Sequence, residues 1–216
     1  MLKVALRRTA VAALLALTAA CAHKPPPKDY TAYRSEDPHS ILVIPVTNKS
    51  TQVDAPDNFL ATLAVPLAER GYYVFPVNMV KRTMEDDGLG DADMVRAADP
   101  RRLANLFGAD AVLYAEIENW DASYIVVSAS TTVRVHYTLK SGKTGETLWD
   151  QTTTAAYSQG AGGIDPISLL VGAVKAAVER AHPSYIRVAN FANAQAVNTP
   201  DQGLLPGPYD KGYKKN

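Results

Sequence analysis

The residues of this chain that could do chemistry are few. There is one thiol, Cys21, at the end of the small and apolar sequence Leu17-Thr18-Ala19-Ala20-Cys21. An unpaired thiol exposed in an oxidising compartment is a liability, so its position after small residues points to covalent attachment. Gly142-Lys143-Thr144 has the ending of a phosphate-binding loop. The first glycine of that motif would fall at position 137, which is Tyr137, and the segment leads from strand to strand with no helix N-terminus to hold a phosphate. Asp86, Asp87, Asp91 and Asp93 could gather around a hard cation. They lack the alternating order and closing glutamate of a calcium loop and read as a turn between helices. His23, His39, His136 and His182 are scattered, with no pair at zinc-ligand spacing. His136, Arg134 and Thr138 share one strand face, without a nucleophile beside them, and no G-x-S-x-G sequence is present. The expectation is a protein that is not an enzyme and has no catalytic, metal or cofactor site, with Cys21 as the one functional residue.

What surrounds Cys21 gives it a role. Lys3, Arg7 and Arg8 precede an uninterrupted apolar and small run from Thr9 to Ala20, the charged start and apolar core of a secretory signal, too short to span a bilayer. A signal ending in small-small-Cys resembles the bacterial lipoprotein signal, or lipobox. That resemblance implies cleavage before Cys21, acylation of its thiol, and a membrane partner held through the N-terminal lipid. Position 22 is Ala and not the Asp of inner-membrane retention, so the resemblance implies the outer membrane, with the body facing the periplasm.

Loss of residues 1–20 removes three positive charges and leaves 19 basic against 22 acidic residues, a net charge of −3. Nothing in that balance suits nucleic acid. The remaining 196 residues allow one sizeable core. Residues 21–39, rich in Pro and Lys, read as a spacer. Residues 40–196 read as a single α/β domain, and 197–216 as a flexible C-terminal tail.

The elements within the domain follow from hydrophobic period. Ile41 to Val46 is a continuous apolar run suited to a central strand, interrupted by Pro45. Phe59, Leu60, Leu63 and Leu67 share a helix face that Gly71 ends, and Tyr72 to Phe75 returns as a strand, a βαβ unit with parallel pairing. Helices are expected over Asn78 to Glu85 and Pro100 to Phe107, then a strand from Ala111 to Ile117. Val133, Val135, Tyr137 and Leu139 alternate with Thr132, Arg134, His136 and Thr138, and the turn from Ser141 to Glu146 returns the chain, giving one long antiparallel hairpin. Amphipathic helices follow at Ile167 to Ala181 and Tyr185 to Ala196. The fold class is α/β: a mixed sheet, βαβ core plus antiparallel hairpin, flanked by helices. Trp120 and Trp149 are expected in its core, and the hairpin's sheet edge is the expected docking surface.

The ordered set of lipobox, "ILVIPVTN", "FLATLAVPLAERGYYVFPV", "LFGADAVLYAEIENW" and "SGKTGETLWDQ" resembles the family of Gram-negative lipoproteins typified by a neisserial genome-derived antigen, over about residues 38 to 192. That family is fold-related to CsgG-like curli secretion lipoproteins, and the resemblance implies a sheet similar to the CsgG periplasmic domain and the TolB N-terminal domain. It implies an accessory protein working with envelope proteins, such as a CsgG-like lipoprotein, with oligomerisation left open. A carrier for a small or lipidic ligand is the alternative. That alternative requires a sizeable apolar pocket between sheet and helices.

Overall fold

The structure, a computed structural model, describes residues 26–125, 128–160, 174–175, 177–178 and 185–215. Cys21 and the expected helix from Ile167 to Ala181 lie outside or mostly outside these residues. Six strands form one sheet in the order β3-β1-β4-β5-β6, with β2 also paired to β4. The strands are β1 (Ser40–Val43), β2 (Thr47–Asn48), β3 (Tyr73–Val74), β4 (Ala111–Ile125), β5 (Ser128–Ser141) and β6 (Thr147–Gly160). β1 pairs in parallel with both β3 and β4, as a βαβ crossover requires, while β4, β5 and β6 are antiparallel. Pro45 falls in the gap between β1 and β2, where no ladder N–H is demanded of it.

The helices are α1 (Thr31–Glu36), α2 (Ala55–Glu69), α3 (Val77–Asp86), α4 (Ala92–Ala97), α5 (Pro100–Phe107) and α6 (Tyr185–Asn198). Asp99 caps α5 by accepting from Arg101 N, with Pro100 at the first position and Gly108 closing the helix at φ 72°. The sheet carries helices on both faces. Phe59, Leu60, Leu63 and Leu67 of α2 and Val188, Ala189, Ala192 and Ala196 of α6 pack on Leu113, Ile117, Val133, Val135, Tyr137 and Leu139. On the other face Val80, Met84, Val95, Leu103 and Ala104 from α3, α4 and α5 cover Leu42, Ile44, Val112 and Tyr114. The alternation of β4 thus feeds two cores from one strand.

β4 is longer than the sequence suggests. Ile117 and Trp120, three positions apart, cannot both face the same core in a regular strand. A bulge between Ile117 and Asn119 resets the alternation and sets Trp120 opposite Val133. Trp120 then stacks on Tyr185 with centroids 5.2 Å apart and meets the edge of Phe59 at 6.2 Å. The antiparallel part therefore holds two long strand pairs, β4 with β5 and β5 with β6, where one hairpin was expected. Trp120 and Trp149 are both buried.

The segments expected as a spacer and a flexible tail pack, over their described residues, on the body. Tyr30 and Tyr33, edge to face at 6.1 Å, enter the core, and Tyr30 Oη donates to Gly203 O at 2.5 Å. Tyr72 Oη donates to Leu205 O at 2.6 Å, so the Tyr33 hydroxyl, 2.5 Å away, donates to Tyr72. Leu204 is 1% exposed. Gly207 N and Tyr209 N donate to Arg70 O and Gly71 O. The spacer reading for 26–39 and the flexible-tail reading for 197–215 are corrected accordingly. A polar, proline-rich segment docks because its few aromatics find a preformed apolar floor and each terminal segment satisfies the other's polar groups.

Candidate functional site

The side chains from the polar face of the sheet converge where α3, α4 and α5 stop covering it. Register sets Glu116 of β4 opposite His136 of β5, and His136 opposite Thr152 of β6. Glu116 is 8% exposed, a position a carboxylate holds only when paired. Lys49 Nζ lies 2.5 Å from its Oε1 and Arg96 Nη2 lies 3.3 Å from its Oε2. The bulge adds Glu118 to this face, where it accepts from Arg134 Nε at 2.5 Å. His136 Nε2 lies 2.8 Å from Asp150 Oδ2, which also accepts from Thr138 Oγ1 at 3.0 Å.

Burial pushes the Glu116 carboxyl up, but Lys49 and Arg96 outweigh it and hold it below the usual glutamate value. A carboxylate with a depressed native value contributes stability that is present above its unfolded value, about 4.3, and is lost as pH falls through the native one. Wild-type protein is therefore expected to lose thermal stability on acidification through that window, and Glu116→Gln to lose less. Melting temperatures taken across pH check this, and parallel curves would refute it.

Glu116, Glu118 and His136 each offer a ligand atom, all within 4.8 Å of one another. A divalent cation would enter only against Lys49, Arg96 and Arg134, which already neutralise both carboxylates. The arrangement is an ion-pair network on a sheet face. His136, Arg134 and Thr138 come together as expected, while Glu116, Glu118, Lys49 and Arg96 join them unannounced. The signal that could have found Glu116 is a lone acid within the apolar run Ala111 to Ile117.

The other sequence candidates resolve as structure. Lys143 N and Thr144 N both donate to Ser141 Oγ, so the backbone that would cradle a phosphate is occupied within the turn. Asp91 caps α4 by accepting from Asp93 N and Met94 N, and Asp86 pairs with Arg82. His39 lies beside Asp37 and Tyr213. Cys21, His23 and His182 are outside the described residues.

Beyond the network the face stays open. Asp150, Thr152, Thr154, Ala156 and Ser158 of β6 are exposed, alternating with buried Trp149, Thr153 and Ala155. Among the described residues no strand pairs with the outer edge of β6.

The chain matches, over residues 28–209, the family described as "Putative lipoprotein GNA1162-like". The "Putative lipoprotein NMB1124/NMB1162" of Neisseria meningitidis serogroup B (strain ATCC BAA-335 / MC58) is 38% identical over 168 residues, 78% of this chain and 76% of that protein. The crystal structure of lipoprotein GNA1162 from Neisseria meningitidis is 34% identical, covering 68% of this chain and 100% of that chain, with a TM-score of 0.53. A PelC dodecamer structure from Paraburkholderia phytofirmans is 17% identical over 77% of this chain and 89% of that chain, with a TM-score of 0.48. The family match takes in α1, the whole sheet and most of the docked C-terminal segment, and this chain belongs to the GNA1162-like lipoprotein family.

Proposed function

We propose that this protein is a non-catalytic assembly or accessory factor of a secretion or transport complex in the bacterial envelope. It is anchored in the outer membrane by lipid on Cys21, faces the periplasm, and binds envelope proteins through the edge and open face of β6. The observation that carries this reading is β6 itself. It is a 14-residue strand whose exposed residues are small or polar and whose outer edge no described strand pairs, a template for an added strand from another chain. Family membership supports the lipid anchor, as does the small-small-Cys sequence followed by Ala22. No helix among the described residues is long and apolar enough to cross a membrane.

A ligand carrier is less well supported. The space between sheet and helices is filled by fully buried Phe59, Leu63, Leu113, Tyr137 and Leu139. Two cavities lie instead beside α1 and the C-terminal segment.

Gentle detergent extraction of the tagged native protein, followed by size analysis and mass spectrometry, tests the reading. The expected result is a large complex with defined envelope partners, lost with Cys21→Ala and with Thr154→Arg/Ala156→Arg on β6. A lone monomer from the wild-type chain overturns the assembly role. An unchanged complex from the β6 variant overturns the assigned surface.

A further inference from the structure

The cavity beside the docked N-terminal segment has a chemistry of its own. It encloses about 380 Å³ and is lined by Pro27, Tyr30, Arg34, Arg70, Thr199 and Asp201 among others. Arg34 projects from α1 with its guanidinium carbon 5.9 Å from the centre of the Tyr30 ring. Arg70, at the end of α2, spends Nε on Leu204 O at 2.8 Å and keeps its two terminal nitrogens. Among the described residues neither arginine has a carboxylate within 4.0 Å, whereas Lys81, Arg82, Arg101, Arg134 and Lys214 are each ion-paired. Burial pushes the Tyr30 hydroxyl above the usual phenol range; the charge of Arg70 pulls against it, that of Asp201 adds to it and that of Arg34 pulls against it again, which places two guanidiniums and one carboxylate within electrostatic reach of one hydroxyl. The neighbouring cavity of about 300 Å³ also touches Arg34, but its Lys214 is paired with Asp37 at 2.6 Å. Two guanidiniums against the single carboxylate of Asp201, with no direct ion pair between them, thus line the first cavity.

Position decides what this pair meets. Gln202 Nε2 donates to Pro26 O at 2.7 Å, and Lys28 N to Asp201 O at 3.1 Å, so the chain is fastened at the rim of the cavity. Cys21 lies five residues before Pro26, a length that reaches at most about 18 Å when fully extended. A body held that closely presents this rim to the leaflet that holds the anchor.

We infer that the cavity between α1, the end of α2 and residues 198–205 is a binding site for the phosphate of an anionic lipid headgroup, with Arg34 and Arg70 donating to the phosphate and Tyr30 as the apolar wall beneath. Guanidinium suits this because it offers paired donors in the geometry of phosphate oxygens and is held more weakly by water than an ammonium. The site fixes the orientation of the body on the membrane, leaving β6 to its partner. The inference rests on the proposed anchor at Cys21 for its geometry, and its test does not use that anchor.

The test uses the full mature chain carrying Cys21→Ser, so that no acyl chain carries it to lipid, in co-flotation with vesicles of phosphatidylcholine alone or mixed with phosphatidylglycerol. The expected result is binding to the mixed vesicles only, weakened about 25-fold by Arg34→Glu, counting roughly fivefold for each of two charge units near an anionic surface. Arg34→Lys restores most of it, and Arg82→Glu on α3 leaves it unchanged. Arg34 is exposed on a short helix, and its variants are expected to keep the wild-type melting temperature, which is measured alongside. Equal binding of the Arg34→Glu chain overturns the site, as does equal binding to pure phosphatidylcholine. Full competition by inorganic phosphate overturns the lipid assignment in favour of a free anion. Acylation is read separately from the mass of the wild-type protein, so loss of the anchor and loss of the headgroup site are distinct results.

Discussion

Asn193→Ala is expected to lower the unfolding free energy by about 3 kcal/mol and the melting temperature by roughly 10 °C. Asn193 sits on α6 with no exposure, between the sheet and the neighbouring helix α2. Its Oδ1 accepts from Tyr137 Oη at 2.7 Å and its Nδ2 donates to Thr62 Oγ1 at 2.7 Å, which in turn donates to Phe59 O at 2.6 Å. This chain joins β5, α6 and α2 through groups that see no water. Truncation leaves the Tyr137 hydroxyl without an acceptor in a site where burial already holds it far above the usual phenol range. An orphaned buried group costs about 1–3 kcal/mol, to which the lost side-chain volume adds. Tyr137→Phe is expected to cost about half as much, and the double variant less than the sum, because the second change removes a group the first had already orphaned. Denaturant melts of the four proteins measure the cycle. An Asn193→Ala chain within 0.5 kcal/mol of wild type, or strict additivity, would show that the network contributes no coupling.

Gly71→Ala carries the second large expectation, a loss of about 3 kcal/mol together with release of the C-terminal segment. Gly71 follows α2 at φ 89°, where a Cβ is strained, and that Cβ would lie 2.7 Å from Asp210 Cβ and 3.0 Å from Asp210 Cα. Neither neighbour is the far end of a flexible side chain. The segment must lift, giving up the bonds from Gly207 N to Arg70 O and from Tyr209 N to Gly71 O. Limited proteolysis is the sharpest readout: cleavage between residues 205 and 215 should appear in the variant well before any cut in the sheet. An unchanged cleavage pattern would mean that the segment is held by something other than this close approach.

Those expectations mark where sequence reasoning worked and where it stopped. The βαβ pairing was legible because Ile41 to Val46, the Phe59 to Leu67 helix face and the Gly71 stop all state one topology locally. The cap at Asp99-Pro100 and the hairpin turn at Ser141 to Glu146 were legible for the same reason. The bulge was hidden, since it shows only as a slip between Ile117 and Trp120 that also reads as the end of a strand. The docked termini were hidden more deeply. Their composition is that of linkers, and what holds them is a set of contacts between residues more than 130 positions apart, which no window of sequence displays. The polar face was half legible. His136, Arg134 and Thr138 declare themselves by alternation, but Lys49 and Arg96 arrive from a turn and a short helix that only the fold brings beside Glu116.

The fastening of the first described residues to the last has a consequence in time. Tyr30 bonds to Gly203 and Gln202 to Pro26, pairs separated by 173 and 176 positions. A chain that emerges N-terminus first, from a ribosome or through a translocation pore, cannot make these bonds until almost all of it is out. Until then Tyr30 and Tyr33 lack part of their seat, and closure of the core is deferred by the distance along the chain between its partners. The fold thereby completes last at the end where it began.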